Sequence, residues 1–389
     1  MLAKEDELLL VADDLQPVNE FLRNALTLKV KGNTSHYQHV VMQIGRRDDE
    51  DMYWRLLLAL AANASYLTHK ADYFRELIHN LFAYNWKGEP RMSVAFVHLL
   101  SLIVSSNVTF LAPVLQVLVK SFKLITDLQN SADLSTKTID ESVANLARVH
   151  RLIQNLLLTV PTGQTELFPI LSAGFPHRRF DQKIILAYVD NLYKICDYFP
   201  GCKENLLDLI VRQALEIDVE IVIEDTGDVK LNEELFESAE HLEGLFSFDA
   251  GDNPKSQGFR QTGADKVSDE VSQMADKLDL LLVSLANFLQ QDISKSKREM
   301  SVYLYYTLLN IFEERVLAAH KSKFVQYVLF YLAGMSSEYG DIKFYEMFAS
   351  RLLKIFLQVS SAPLKRQSAV LYLASYLTRA SFVPIDFVR

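Results

Sequence analysis

The feature that most constrains this chain is an apolar periodicity of 3.6 residues that restarts repeatedly along its length. RLLLALAANASYL (55–67) sets Leu56, Leu60 and Leu67 on one stripe with alanines between them. YFRELIHNLFAY (73–84) places Phe74, Leu77, Ile78, Leu81 and Phe82 at i, i+3, i+4, i+7 and i+8, the spacing that buries one face of a helix. The pattern recurs at 94–104, 111–125, 143–160, 183–199 and 204–215, and again at 275–290, 301–317, 323–335, 343–359 and 365–380. Only VEIVIED (219–225) reads as a candidate strand.

Short links at 63–73, 105–113, 159–169 and 198–205 each join two helical runs. They return every 40 to 55 residues or so, the spacing of HEAT and armadillo repeats. The runs are apolar on more than one face, as stacked helix pairs must be when each packs on both sequence neighbours. With only 13 Gly and 10 Pro, an all-β or loop-rich chain is disfavoured. The expectation is therefore an all-α, HEAT-like helical-repeat solenoid, with an irregular helical bundle as the alternative. Helical repeats are expected over 1–223 and again over 273–389, with an acidic, disordered insert over 224–272 between them.

The insert follows from charge and composition. Residues 216–253 hold thirteen acidic side chains against the single base Lys230, whereas the rest of the chain is slightly basic. A polar stretch of this length between periodic runs is functional or disordered. Its one apolar island, LEGLFSFD (242–249), has the makings of a short docking motif or of a weakly attached solvated loop. The two cysteines, Cys196 and Cys202, cannot build a disulfide framework or a zinc site by local spacing and read as buried thiols. The acidic start MLAKEDELLLVADD lacks the basic-then-apolar order of a signal peptide. The apolar windows 56–62 and 108–119 fall short of the ~20 residues that span a membrane. A reducing intracellular compartment and no membrane partner are expected, which leaves the sequons at Asn33, Asn63 and Asn107 without use.

Residues that could carry catalysis are few. In RRDDEDMYW (46–54), the acids Asp48, Asp49, Glu50 and Asp51 could hold a magnesium ion if a second acidic cluster faced them, and Asp13-Asp14 is the nearest. They also stand where a helix should start, where acids cap free N–H groups and favour the helix dipole. The nine histidines are scattered singly, and HExxH, Walker A, GxGxxG and GxSxG motifs are all missing; neither a cofactor nor an enzyme is expected. The basic stretches 176–183, 295–298 and 364–367 are too short for a duplex-binding face, so nucleic-acid contact is expected to be weak or indirect. An acidic protein partner could meet the same patches.

Residues 151–221 resemble the RNA polymerase I-specific transcription initiation factors of the TIF-IA type. The likeness lies in Val160-Pro161, in Leu167-Phe168-Pro169-Ile170-Leu171, in Phe175-Pro176, in Tyr188-Val189-Asp190-Asn191-Leu192 and in the run LLDLIVRQALEIDVEI. EGLFSFD (243–249) falls where that family has an acidic linker, ADKLDLLL (275–282) follows it, and Tyr376 to Pro384 matches a family phrase near the chain's end. The resemblance covers most of 140–389, with the first 130 residues matching more loosely.

The resemblance implies a HEAT-repeat adaptor without a cofactor. It would bind RNA polymerase I near its stalk and bridge it to promoter-bound core-factor subunits at ribosomal RNA genes, in the nucleus and nucleolus. His177, Arg178, Arg179, Lys365, Arg366 and Arg379 are the candidates for polar contact with partners, and Thr162 and Thr165 for modification. Neither threonine precedes a proline, so proline-directed phosphorylation is not expected there. Pairing of two copies into a homodimer stays open. The alternatives are a generic HEAT scaffold, such as a transport or phosphatase-type adaptor, and an all-α metal-dependent enzyme built on 48–51. Family members continue through further helices, whereas this sequence ends with Phe382, Val383, Ile385, Phe387 and Val388 in search of a surface; the resemblance implies a shortened chain.

Overall fold

The computed structural model describes residues 15–84, 86, 89–123, 136–224, 266–319, 322–335 and 343–388. Among these residues every regular element is helical and no strand occurs, as the repeating periodicity requires. In chain order the α-helices are α1 (Gln16–Val30), α2 (Ser35–Arg46), α3 (Glu50–Ala62), α4 (Ala64–His69), α5 (Arg75–Phe82), α6 (Pro90–Ser106), α7 (Leu111–Lys120), α8 (Thr136–Thr159), α9 (Gly163–Gly174), α10 (Gln182–Tyr198), α11 (Lys203–Glu224), α12 (Lys266–Lys295), α13 (Arg298–Ile311), α14 (Tyr327–Gly334), α15 (Phe344–Leu357), α16 (Pro363–Arg379) and α17 (Ile385–Val388). None of the described helices is long and apolar enough to cross a membrane. The apolar island 242–249 lies outside the described residues, as does most of the acidic insert.

The chain divides into two compact units. One comprises residues 1–177 with 183–203, and the other comprises 178–182 with 204–389. In the first, α3 packs on α6, α6 on α8 and α7 on α9. Contacts that skip elements in this way are those of stacked helix pairs. A helix in such a stack must be apolar on more than one side, and α3 buries Tyr53, Trp54, Leu57, Leu58, Leu60 and Ala61. Each large apolar side chain so buried contributes about 1.5–3 kcal/mol.

In the second unit α12 packs on α14, α14 on α15, and α15 on both α13 and α16. Tyr305 stacks on Phe344 at 4.4 Å and Phe312 meets Phe348 edge-on at 5.3 Å. Residue numbers rise together on the two helices, so α13 and α15 run in the same direction, as successive first helices of stacked pairs do. The second helices contribute Phe330 and Tyr376, whose ring lies 4.9 Å from Phe348 and 5.0 Å from Phe330. Edge-to-face geometry in this cluster adds to the area it buries.

Local chemistry moves several boundaries away from the periodicity. The run 55–67 is cut at Asn63, whose amide donates to Ala59 O at 2.9 Å and to Asn19 Oδ1 at 2.5 Å, so the chain turns there and restarts as α4. VEIVIED is helical through Glu224, not a strand, because α11 buries Ile217, Asp218 and Ile221 along one side. α9 continues through Pro169, which has no N–H to offer the preceding turn. The run 301–317 loosens into a π-helical turn at Phe312–Val316. At the end of the described chain, Val383 is buried, Phe382 reaches Tyr376 at 6.1 Å and Phe387 reaches Tyr345 at 5.6 Å. Part of that apolar end thus finds its surface on this chain, whereas Ile385 remains 71% exposed.

Candidate functional site

The acids that could have made a metal site act as a helix start. Asp49 accepts from the backbone N–H of Asp51 and of Met52, both at 3.0 Å, and caps α3. Asp51 pairs with Arg55 at 2.8 Å and with Arg91 at 3.0 Å. Asp13-Asp14 lies outside the described residues, and no group of three or more metal-ligating side chains occurs among those described. Both cysteines are buried free thiols, and burial pushes the Cys202 thiol up to about 11, far from a reactive thiolate.

The basic stretch 176–183 follows the end of α9. His177 and Arg179 are exposed and Arg178 is half-buried. In the second unit the Arg178 guanidinium is paired with Glu220, and its carbonyl accepts from Lys277 Nζ at 2.5 Å. Burial holds the Lys277 ammonium below its ordinary value, against the pull of Asp181 and Glu220. Arg178 is therefore an anchor of the stretch, while His177 and Arg179 present their side chains at the surface.

The candidates on α16 divide in the same way. Lys365 donates to Glu313 Oε1 at 2.7 Å, and Arg351 binds the other oxygen at 2.6 Å. Burial pushes the Glu313 carboxyl up, but the bonds from Lys365 and Arg351 outweigh it and leave the group below its ordinary value. Arg366 donates to Phe356 O at 2.7 Å and lies over the Phe356 ring. Arg379 is exposed and donates to Ser375 Oγ at 2.7 Å. Thr162 and Thr165 are both exposed at the first turn of α9, and the Thr165 hydroxyl donates to Thr162 O at 2.7 Å.

A surface feature that the periodicity did not single out lies on the second unit. Two adjoining hollows follow α15, one of about 560 Å³ between α13 and α15 and one of about 500 Å³ continuing along α15. They share Ser350 and Lys354. The basic stretch 295–298, which supplies Arg298 to the first hollow, was its one legible signal.

Three kinds of likeness accompany this geometry. Residues 13–389 match the family model of the RNA polymerase I specific transcription initiation factor RRN3. The chain is 26% identical over 371 residues to the mouse RNA polymerase I-specific transcription initiation factor RRN3, covering 92% of this chain and 55% of the mouse protein. The Schizosaccharomyces pombe rrn3 factor is 22% identical over 386 residues, covering 94% of this chain and 60% of its own length. A crystal structure of RNA Polymerase I Transcription Initiation Factor Rrn3 superposes with a TM-score of 0.64 at 17% identity, over 94% of this chain and 65% of that one; the likeness is one of fold. This chain thus spans little more than half the length of these two relatives.

Proposed function

The chain belongs to the RRN3 family of RNA polymerase I specific transcription initiation factors, and from that premise we propose that it is a non-enzymatic helical adaptor that binds RNA polymerase I near its stalk. It joins the polymerase to promoter-bound core-factor subunits at ribosomal RNA genes, in the nucleus and within it the nucleolus, with nucleic-acid contact weak or indirect. The observation that carries this reading is the extent of the family match, which takes in almost the whole chain from residue 13 onward. Acids spent on capping and ion pairing favour work done by binding.

In this reading the helical repeats of 1–223 and 273–389 act as docking modules joined by the acidic insert 224–272. His177, Arg178, Arg179, Lys365, Arg366 and Arg379 are the residues that touch partners, and the bonds of Arg178, Lys365 and Arg366 to their own unit hold those surfaces in place. Thr162 and Thr165 are modification points, where a phosphate would add up to about two negative charges and hinder docking. A homodimer would offer the same patches twice.

Affinity capture from nuclear extract tests the proposal. Recovery of polymerase I stalk subunits, together with restored promoter-dependent transcription in extract depleted of the endogenous factor, is the expected result. Recovery of transport or phosphatase components alone would leave only a generic scaffold.

A further inference from the structure

α13 and α15 run side by side in the same direction and share an aromatic seam, yet above that seam they part. On α13 the open side carries Arg298, Val302 and Tyr306, spaced four residues apart and so stacked on one face. On α15 it carries Met347, Ser350 and Lys354, and then Leu353 and Leu357 where the hollow continues. The small Ser350 leaves the middle of the trough open. Its apolar lining faces solvent: Tyr306 is 51%, Leu353 46% and Leu357 62% exposed.

The charges along this trough are mostly positive. Lys343 is paired with Glu346 at 2.7 Å, and Arg351 with Glu313. Arg298 and Lys354 meet no acceptor among the described residues. Two unanswered cations therefore flank an exposed apolar strip some 20 Å long, given the rise per residue over the length of α15.

We propose that this trough is a docking site for an acidic amphipathic helix of a partner protein, its apolar stripe laid on Tyr306, Leu353 and Leu357 and its carboxylates meeting Arg298 and Lys354. Parallel helices present ridges between which a third helix can lie, and apolar anchors at helical spacing are how grooves of this kind read a ligand. The chemistry selects against other occupants. Nucleic acid would use the two cations but leave Leu353 and Leu357 against a polyanion, and two cations are few for a phosphate track. A second copy seated here would set positive charge against positive charge, which costs several kcal/mol in juxtaposed pairs. The proposal goes beyond polymerase recruitment and does not depend on it.

The test is fluorescence anisotropy of the full chain with a labelled synthetic helix of about 15 residues, with glutamates on one face and leucines and a phenylalanine on the other. Saturable binding is expected. It should weaken about tenfold or more in Arg298→Glu/Lys354→Glu and in Leu353→Ser/Leu357→Ser, since each removes one of the two contributions. All four positions are on the surface, and unchanged thermal unfolding shows that the variants fold; Lys354→Ala gives a milder version of the same loss. Equal binding by an oligoglutamate of the same charge or by an RNA oligonucleotide would overturn the proposal, as would variants that bind like the native chain. So would binding that emerges only after residues 225–265 are replaced by a neutral linker, because the chain's own acidic segment would then be the occupant.

Discussion

Asp218, fully buried on α11, reaches Ser322 across 104 residues of sequence: the serine hydroxyl donates to its Oδ2 at 2.7 Å. The same oxygen accepts from the backbone N–H of Lys323 at 3.0 Å and of Phe324 at 3.1 Å. It thus serves as a non-local cap for the turn that leads into α14. A buried carboxylate is costly unless its bonds are made; here Oδ2 satisfies several donors that would otherwise be orphaned, whereas the buried Oδ1 meets no hydrogen-bond partner among the described residues.

Asp218→Ala should therefore destabilise the protein by about 3 kcal/mol, through loss of the acceptor for several buried donors. Asp218→Asn keeps an acceptor in place and should cost less than half as much. Ser322→Ala removes one bond of the set and should cost about 1 kcal/mol. Urea unfolding measures all three; equal losses for the alanine and asparagine variants would mean that charge, not acceptance, is what matters. Burial raises the Asp218 pKa, with the Ser322 and backbone bonds opposing it. The folded state thus holds this proton more tightly than the unfolded chain, and acid does not loosen the cap.

Acid should instead act at His150. Asn191 donates its amide to Ala187 O at 2.6 Å and to Phe122 O at 3.4 Å, so its carbonyl oxygen faces the imidazole. His150 Nε2 then donates to it at 2.8 Å, and Nδ1 is left to accept from the Tyr198 hydroxyl at 3.2 Å. Burial lowers the imidazole pKa from 6.5 to about 4, against the raising effect of Asn191. The unfolded chain binds the proton more tightly, so stability is complete above pH 6.5 and declines as the pH falls toward 4. The loss is on the order of 3 kcal/mol over that range, from the span of the shift. His150→Gln should flatten this part of the stability–pH curve, which denaturant midpoints at stepped pH will record.

These two sites show which parts of the architecture the sequence made legible. The repeating stripes announced an all-α chain because a helix face is a local pattern. Asp218 was hidden because its partners arrive from more than a hundred residues away, and its flanking β-branched run mimics a strand. Asn63 looked like part of a link, but whether it ends a helix depends on Asn19 lying within reach. The family likeness was legible because it rests on ordered phrases such as Leu167-Phe168-Pro169. The basic candidates were visible as charges, yet nothing local to Lys365 signals that Glu313 is waiting for it. The trough drew its walls from helices some 45 residues apart, so no single window could display it.

The acids of 48–51 offer a direct contrast between capping and metal binding. Asp49→Ala should cost about 1 kcal/mol, the usual worth of an N-cap. Asp51→Ala breaks half-exposed pairs with Arg55 and Arg91, and such pairs contribute about 1 kcal/mol or less. Isothermal titration of the native chain with Mg²⁺ should show no site-specific heat that the double variant abolishes. A folded double variant that had lost such heat would restore the metal-dependent reading.

α9 and α10 approach each other closely where α9 ends. Gly174 has no side chain, and a Cβ placed there would lie 2.9 Å from the Tyr188 hydroxyl and 3.1 Å from Val119 Cγ1. The hydroxyl cannot simply swing away, because it is buried and donates to Leu171 O at 2.8 Å. Gly174→Ala should therefore destabilise the protein by about 1–3 kcal/mol, the range for overpacking a tight core. Tyr188→Phe alone should cost about 1 kcal/mol, since it strands the Leu171 carbonyl. The two changes should not add: deleting the hydroxyl makes room for the methyl, so the double variant should be more stable than the sum of the single losses implies. Additive losses in a thermal or urea double-mutant cycle would mean that the methyl collides with Val119 and the helix backbone instead of the hydroxyl.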